Sequence, residues 1–381
     1  MPTILVIDDD PLIRLTLTKA LSSQDCSVEV ASGGIEGLEK AHDQLPDLIV
    51  CDWLMPDLDG LSVCKHIKAD ADLAATFFVL LSAKGEVSDR IRGLDAGADD
   101  FLAKPVDLSE MKAKIRAGLR LRQLSRDLQE QKQLLEAELS EAADYVRSLL
   151  PPPLVGTVSI DSRFIPSREL GGDCFDYYWL DPDYLVFYLL DVSGHGLGSA
   201  LPSISVQNVL RSQSLPDVNF YQPAAVLKAL NETFQMNDQN EKYFTMWYGV
   251  YNCSRRMLTY ASAGHPPSIL ISPDGGDRYR AKRLRTPNLP VGMMPDITYE
   301  SGRCAVPKNS HVYVFSDGVY ESFDPTQLGD QDMSWGLDEF IEMLADHAEQ
   351  LDLDKLLEEI QVARGTTLFP DDLSLLRVMF P

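Results

Sequence analysis

The sequence predicts three parts. These are an α/β unit on a doubly wound, five-stranded parallel sheet, a helical coiled-coil linker, and an α+β layered unit with antiparallel sheets flanked by helices. Three observations predict this. Up to residue 121, short apolar runs alternate with segments of helical spacing. Residues 107–150 contain no Pro and only Gly118. From residue 154 onward, strand-like runs dominate and helical patterns interrupt them. The expected boundaries are 1–121, 122–150 and 151–381.

In the first part, ILVI (4–7), VEVA (28–31), DLIVCD (47–52), FFVLLS (77–82) and DFLAKP (100–105) read as strands. Leu12, Leu15 and Leu17, then Ile35, Leu38 and Ala41, mark helices between them. This β-α alternation implies a parallel sheet with helices on both faces. Such sheets carry their sites at the carboxyl ends of strands, where Asp8, Asp52, Ser82 and Lys104 fall.

In the second part, Leu121, Leu124, Leu128, Leu135, Ala142 and Leu149 sit near heptad spacing, with Gln131 in one core slot. One reading is a solvated helix packed on its own domain. The reading adopted is a coiled coil that pairs two copies in parallel, ended by Pro151–Pro152–Pro153. In the third part, the strand-like runs are 184–192, 244–252, 257–264, 268–272, 311–318 and 373–380. Helical patterns fall at 197–214, 221–236, 336–348 and 353–363.

Composition narrows the function. The chain has 381 residues, 45% of them apolar, which suits two or three packed domains. A net charge of −24 argues against nucleic acid or an anionic membrane as partner. No apolar run has the length of a membrane span, and the N-terminus lacks a basic, cleavable leader. The six Cys form no CxxC pair, so reduced thiols in a cytoplasmic protein are expected.

Two sets of carboxylates carry the chemistry. A carboxylate that accepts a phosphoryl group needs a divalent cation, neighbouring acids to hold that cation, and a fixed ammonium to balance the added charge. Asp8, Asp9, Asp52 and Lys104 provide these at successive strand ends. A lone Asp at a strand end is ordinarily a cap or turn former; four groups so placed are not coincidental. IDDD (7–10), CDWLMPDLDG (51–60), LLSAKG (80–85) and FLAKP (101–105) resemble, in order, the response-regulator receiver domain. The resemblance implies that Asp52 is the phosphoacceptor. Asp9 binds Mg²⁺, with Asp8 helping through water and the Leu54 carbonyl contributing. Ser82 is the switching hydroxyl, Phe101 the aromatic switch and Lys104 the phosphate partner. A cis bond before Pro105 is also implied.

The second set is Asp173, Asp191, Asp317 and Asp371, in GGDCFD, LLDVSGHG, FSDGV and PDDLS. Each lies beside a strand-like run, and Gly flanks three of them. Any one DG is ordinarily a tight turn; four such motifs together are not. Four carboxylates without His or thiolate partners select Mg²⁺ or Mn²⁺, and paired ions of this kind acidify a water for attack on phosphorus. RELGGDCFD (168–176), LDVSGHG (190–196), TMWYGVY (245–251), SAGHPP (262–267), LPVGM (289–293), SDGVYE (316–321) and DDLSLL (371–376) resemble the SpoIIE-like branch of the protein phosphatase type 2C superfamily. The resemblance implies that these four Asp and the Val192 carbonyl hold two Mn²⁺ or Mg²⁺. Ser374 stands where the family has Thr, and either Asp371 or Asp372 is the direct ligand. Arg168, His195, His265 and Cys174 receive surface, solvated, turn and core readings rather than phosphate, site, proton-donor and redox roles.

The two resemblances together imply a response regulator whose output is a metal-dependent serine/threonine protein phosphatase gated at Asp52. A sensor histidine kinase is the implied partner. A serine-phosphorylated protein of the anti-sigma-factor-antagonist type is the implied substrate. The alternative is a phosphorylation-switched adaptor with an inactive phosphatase fold; the intact acid quartet argues against it.

Overall fold

The computed structural model describes residues 1–22, 26–83, 87–236, 242–275, 278–321, 335–346, 352–367 and 369–381, with the backbone alone for 87–90. Lys84 and Gly85 of the LLSAKG motif, and the end of the 336–348 helical pattern, lie outside the described residues. The chain divides into two compact units, Met1–Glu136 and Ala137–Pro381.

The first unit alternates strand and helix. β1 (Thr3–Ile7), β2 (Ser27–Ala31), β3 (Leu48–Asp52), β4 (Phe77–Ser82) and β5 (Asp100–Ala103) form one parallel sheet in the order β2-β1-β3-β4-β5. Apolar side chains alternate between its two faces, so each face has a core. One gathers Leu5, Ile7, Ile49, Cys51 and Leu80, the other Ile4, Val6, Val50, Val79 and Leu81. Helices α1 (Pro11–Leu21), α2 (Gly34–Gln44), α3 (Gly60–Ala69) and α4 (Val87–Asp95) connect the strands. The chain sets their starts locally. Asp10 caps α1 by accepting from Leu12 N–H ahead of Pro11, and Asp59 caps α3 by accepting from Ser62 N–H.

Helix α5 (Leu108–Ser148) runs for 41 residues. Met111 and Ile115 in its first turns enter the core of the first unit. In its last turns, within the second unit, Ala143 packs with Leu170 and Ala200, flanked by Leu139, Ala142 and Val146. Leu149, Leu150 and Pro151 follow.

The second unit is two five-stranded antiparallel sheets face to face. One has the order β13-β10-β9-β8-β7, from β7 (Cys174–Asp181), β8 (Tyr184–Val192), β9 (Phe244–Asn252), β10 (Met257–Ala263) and β13 (Gly302–Ala305). The other has the order β12-β11-β14-β15-β6, from β6 (Ser159–Ile165), β11 (Ser268–Pro273), β12 (Tyr279–Leu284), β14 (Ser310–Phe315) and β15 (Leu373–Phe380). Phe187, Trp247, Leu270, Val314 and Leu376 fill the space between the sheets. Outside the first sheet lie α6 (Leu197–Arg211) and α7 (Pro223–Thr233), packed through Val206, Leu210, Val226 and Leu230. Outside the second lie α8 (Leu337–Asp346) and α9 (Leu353–Arg364), packed through Phe340, Leu344, Leu356 and Ile360. The unit is thus four layers: helices, sheet, sheet, helices. No described helix is long and apolar enough to cross a membrane.

Candidate functional site

In the first unit, parallel strand ends bring distant acids together. Asp8 follows β1, Asp52 closes β3 and Lys104 follows β5. Carboxylate oxygens of Asp8, Asp9 and Asp52 all lie within 4.8 Å of one another. Asp8 and Asp52 are buried and Asp9 is exposed, so the cluster opens on one side. Lys104 Nζ lies 2.9 Å from Asp8 Oδ2 and 3.0 Å from Asp52 Oδ1. Burial raises the Asp52 pKa, and the Lys104 ammonium opposes that rise. Burial alone would lower the Lys104 pKa; the hydrogen bonds to Asp8 and Asp52 outweigh it and hold the ammonium charged. Asp8 Oδ1 accepts from Asp10 N–H at 2.9 Å, and Asp52 Oδ1 accepts from Trp53 N–H at 2.9 Å. Three mutually close oxygen donors, one side open, suit a hard divalent cation. Ser82 ends β4 and is buried, Phe101 is buried in β5, and Leu54 lies two residues past Asp52. The Lys104–Pro105 bond is cis, as the resemblance implies.

In the second unit, the carboxylates gather at one end of the paired sheets. Asp173 precedes β7 and Asp191 is the penultimate residue of β8. Asp317 follows β14 and opens a single 3-10 turn, and Asp371 precedes β15. Antiparallel register places these positions side by side: Cys174 faces Leu190, and Phe315 faces Leu375. The cluster is looser than the first. Among the described residues, Asp8, Asp9 and Asp52 are the one trio with mutual spacing within 4.8 Å.

The electrostatics show what this cluster lacks. Asp173 is 3% exposed; the Ser316 and Ser374 hydroxyls ease its charge, and no cationic side chain pairs with it among the described residues. Burial, then the Asp191 and Asp372 charges, push its pKa well up. Burial, then Asp317, Asp371 and Asp372, push Asp191 up to about 8. Asp317 is pushed up to about 6 by burial and by Glu321 and Asp371. Asp371 is raised by burial; the Asp372 N–H bond opposes this, the Asp372 charge adds to it, and His195 opposes it. Like charges gathered where burial also opposes ionisation are eased by a bound cation. The residues present therefore fit a divalent metal, and an oxygen-only donor set fits Mg²⁺ or Mn²⁺.

Asp372 plays a different part from Asp371. Its buried carboxylate accepts from Ser167 N–H, Ser167 Oγ–H and Gly172 N–H at 2.7, 2.9 and 2.6 Å. It fastens the loop that leads into Asp173. Gly172 is required there: a Cβ would stand 2.6 Å from the Val192 carbonyl oxygen. On the other side, the loop after Val192 is stapled to the start of β9. Ser193 N–H donates to Tyr243 O at 3.0 Å, and Lys242 Nζ donates to Ser193 O at 2.7 Å. Gly194 and Gly196 in that loop have φ of +86° and +76°, the left-handed region.

Sequence reasoning missed Asp176, Arg211 and Lys242. Asp176 is fully buried, and Arg211 Nε and Nη2 each lie 2.9 Å from its oxygens, tying β7 to α6. The second acid of GGDCFD was the available signal; nothing in the spacing marks Arg211. His265 is buried, its Nδ1 is 3.0 Å from Pro266 O, and burial lowers its pKa to about 4. It is neutral at physiological pH and holds its turn. Cys174 is buried and its thiol pKa is raised by burial, so it is an inert core thiol. Arg168 and His195 are exposed.

With this geometry in place, comparison with known proteins decides the family. The family described as Stage II sporulation protein E (SpoIIE) matches residues 181–381, more than half of the chain. The chain belongs to the SpoIIE family. The response regulator receiver domain matches residues 4–116. The chain is therefore a receiver domain fused to a SpoIIE-type phosphatase domain. The response regulator MprA of Mycobacterium leprae is 46% identical over 117 residues, 31% of this chain and 50% of that protein. MprA of Mycobacterium ulcerans is 44% identical over 124 residues, 32% of this chain and 53% of that protein. The chain spans about half the length of the curated relatives it matches. Among solved structures, the SiaA-PP2C domain of Pseudomonas aeruginosa has a TM-score of 0.55 at 20% identity. That match covers 66% of this chain and 98% of that domain. At that identity the likeness is one of fold.

Proposed function

We propose that this SpoIIE-family protein is a two-component response regulator whose output is a metal-dependent serine/threonine protein phosphatase, gated by phosphorylation of Asp52. Residues 1–121 receive the phosphoryl group, 122–150 couple, and 151–381 hydrolyse. The observation that carries the reading is the buried Asp173 carboxylate gathered with Asp191, Asp317 and Asp371, with no paired ammonium or guanidinium among the described residues. Asp173, Asp191, Asp317, Asp371 and the Val192 carbonyl would hold Mn²⁺ or Mg²⁺; bound there, the ions activate water and neutralise the phosphoryl oxygens. Asp371 rather than Asp372 is the ligand, because three protein donors already occupy the Asp372 carboxylate. Asp372, Gly172 and Lys242 set the two loops that position these groups.

In the receiver, Asp52 is the acceptor, and Asp8, Asp9, Asp52 and the Leu54 carbonyl hold Mg²⁺. Lys104 is poised to balance the added charge, with Ser82 and Phe101 as the switch pair. The phosphodonor is a sensor histidine kinase. The substrate is a serine-phosphorylated protein of the anti-sigma-factor-antagonist type in a partner-switching pathway, and the protein works in the cytoplasm. Two features support coupling through α5. Its last turns pack on Leu170, three residues before Asp173. Its middle carries Leu121, Leu124, Leu128 and Leu135 at 54–68% exposure, an apolar stripe that suits a second copy.

The test is phosphate release from a phosphoserine protein with Mn²⁺, before and after acetyl phosphate treatment. Turnover that needs Mn²⁺ and changes on treatment is expected. Turnover in chelator equal to that in Mn²⁺ would sink the metal reading, and turnover unchanged by Asp52 phosphorylation would sink the gating.

A further inference from the structure

The two side edges of the phosphatase sandwich differ in charge. On one side β12 and β13 are the terminal strands of their sheets. Lys282 Nζ on β12 donates to Cys304 Sγ on β13 at 3.4 Å, so the two edges adjoin. Five of the eight residues from Arg278 to Arg285 are basic: Arg278, Arg280, Lys282, Arg283 and Arg285. All five are exposed, as is Arg303 on β13. Among the described residues, Arg283 alone of these six pairs with a carboxylate, that of Asp338. On the opposite side, β6 and β7 carry Asp161, Arg163, Asp176 and Asp181, and Arg163 and Asp176 are both paired within the unit.

Charged side chains on edge strands guard against unwanted pairing. Either sign, or a mixture, serves that purpose, as the β6 edge shows. A one-sign basic stripe on a chain of net charge −24 needs a further reason. Register supplies the direction. Leu284 faces Ser268, and Ile269 faces Tyr313 near the end of β14. The end of β12, and Arg285 after it, thus lie at the same end of the sandwich as Asp317.

We propose that the β12 edge is a docking surface for an acidic, extended segment of the phosphoprotein substrate, which it leads toward the carboxylate cluster. This rests on the phosphatase reading. The outer backbone of β12 offers donors and acceptors in strand register, and the arginines give the acidic side chains their partners. A nucleic acid or an anionic membrane would use the charge but not the strand edge, and the rest of the chain repels both.

The test uses the full chain in Mn²⁺ and two fluorescent phosphoserine peptides with the same centre, one with glutamate-rich flanks and one with uncharged flanks. Binding is read by anisotropy on the unphosphorylated forms, and turnover on the phosphorylated ones. Wild type should favour the glutamate-rich peptide. Arg280→Glu/Arg285→Glu should weaken that peptide about tenfold and raise its KM in step with little change in kcat. The milder Arg280→Gln/Arg285→Gln should give a smaller shift of the same sign. The uncharged peptide should not distinguish the three proteins. Equal binding of both peptides by wild type, unchanged binding by both variants, or tighter arginine-dependent binding of polyuridine or phosphatidylglycerol vesicles overturns the proposal. Arginine-dependent binding without hydrolysis would keep the docking surface and remove the phosphatase reading. Hydrolysis with equal KM in all three proteins would do the reverse.

Discussion

The receiver and the phosphatase each gather carboxylates at strand ends, yet they balance that charge in opposite ways. In the receiver, Lys104 reaches both Asp8 and Asp52 at about 3 Å, so the protein carries its own counter-charge. In the phosphatase no ammonium or guanidinium is paired with Asp173, Asp191, Asp317 or Asp371 among the described residues, and burial with mutual repulsion drives Asp191 to about 8. The difference teaches which site is complete alone. The receiver cluster holds an ammonium of its own between two of its acids. The second cluster has none among the described residues, and burial with like charges raises its acids instead. Five experiments break or sharpen this contrast.

The largest effect is expected from removing a phosphatase acid. Asp191→Asn should lower turnover at least about a hundredfold, since even losing a partner behind a metal ligand costs about 10–100-fold. Stability should move the other way in chelator. The variant relieves repulsion, so its phosphatase domain should melt at or above the wild-type temperature without metal, and below it in Mn²⁺. Calorimetry in both buffers checks this. A variant that melts well below wild type in chelator would show that Asp191 is not under repulsion.

The receiver should respond differently. Asp52→Asn should abolish labelling by acetyl phosphate and Mg²⁺, because an amide is a poor nucleophile for phosphorus. Labelling that persists would place the acceptor elsewhere. Lys104→Ala removes the counter-charge of a fully buried Asp8 and should destabilise the receiver by about 2–3 kcal/mol in metal-free buffer. Labelling should persist, since Lys104 stabilises the product charge and supplies no nucleophile, while the response to it weakens. If Lys104→Ala left receiver stability unchanged, the contrast between the two clusters would fail.

How much of this was legible in the sequence depended on burial. Every inner strand of the phosphatase sandwich, β8, β9, β10, β11, β14 and β15, reads as an apolar run because both faces are covered. The unread strands, β6, β7, β12 and β13, are all edges. β12, YRAKRL, looks like a solvated loop because its exposed positions are charged. The site divides in the same way. The acids stand out because each sits at the end of a strand-like run, with Gly beside three of the four in the phosphatase. The supporting contacts do not: Asp372 reaches Gly172 across 200 positions, and no local pattern records that bond. The same holds for Arg211 on Asp176 and Lys242 on Ser193.

The pH dependence should separate metal-free from metal-bound protein. Asp191 has a folded pKa of about 8 against an ordinary 3.8. Asp317 is raised to about 6, and Asp173 and Asp371 shift the same way. Between the unfolded and folded values the native state keeps protons that the unfolded chain has released. Stability in chelator therefore falls as pH rises from about 4 to about 8. Metal binding expels those protons, so the gain in melting temperature on adding Mn²⁺ should grow from pH 5 to pH 8. A gain that shrinks over this range would contradict the assignment of Asp191 as a ligand held protonated without metal.

The smallest change in folding stability, and the one that bears on coupling, is expected in α5. Leu128 and Leu135 are 68% and 57% exposed in the single chain. Replacing either with Ser should therefore alter the fold of one copy by about 0.5 kcal/mol or less. Any larger consequence must come from a second copy. In a paired helix both leucines occupy the seam, and Gln131 between them weakens it, which leaves the pairing near balance as a switch requires. On the proposed pairing, wild type should be a dimer and Leu135→Ser a monomer by light scattering, with turnover freed from Asp52 phosphorylation while metal-dependent basal turnover remains. On that proposal the helix itself is the route: its last turns pack on Leu170, in the loop that Asp372 fastens and that carries Asp173. A Leu135→Ser protein that stays dimeric, or whose turnover still follows Asp52, would mean the helix does not transmit. The two clusters would then be joined only by the chain that connects them.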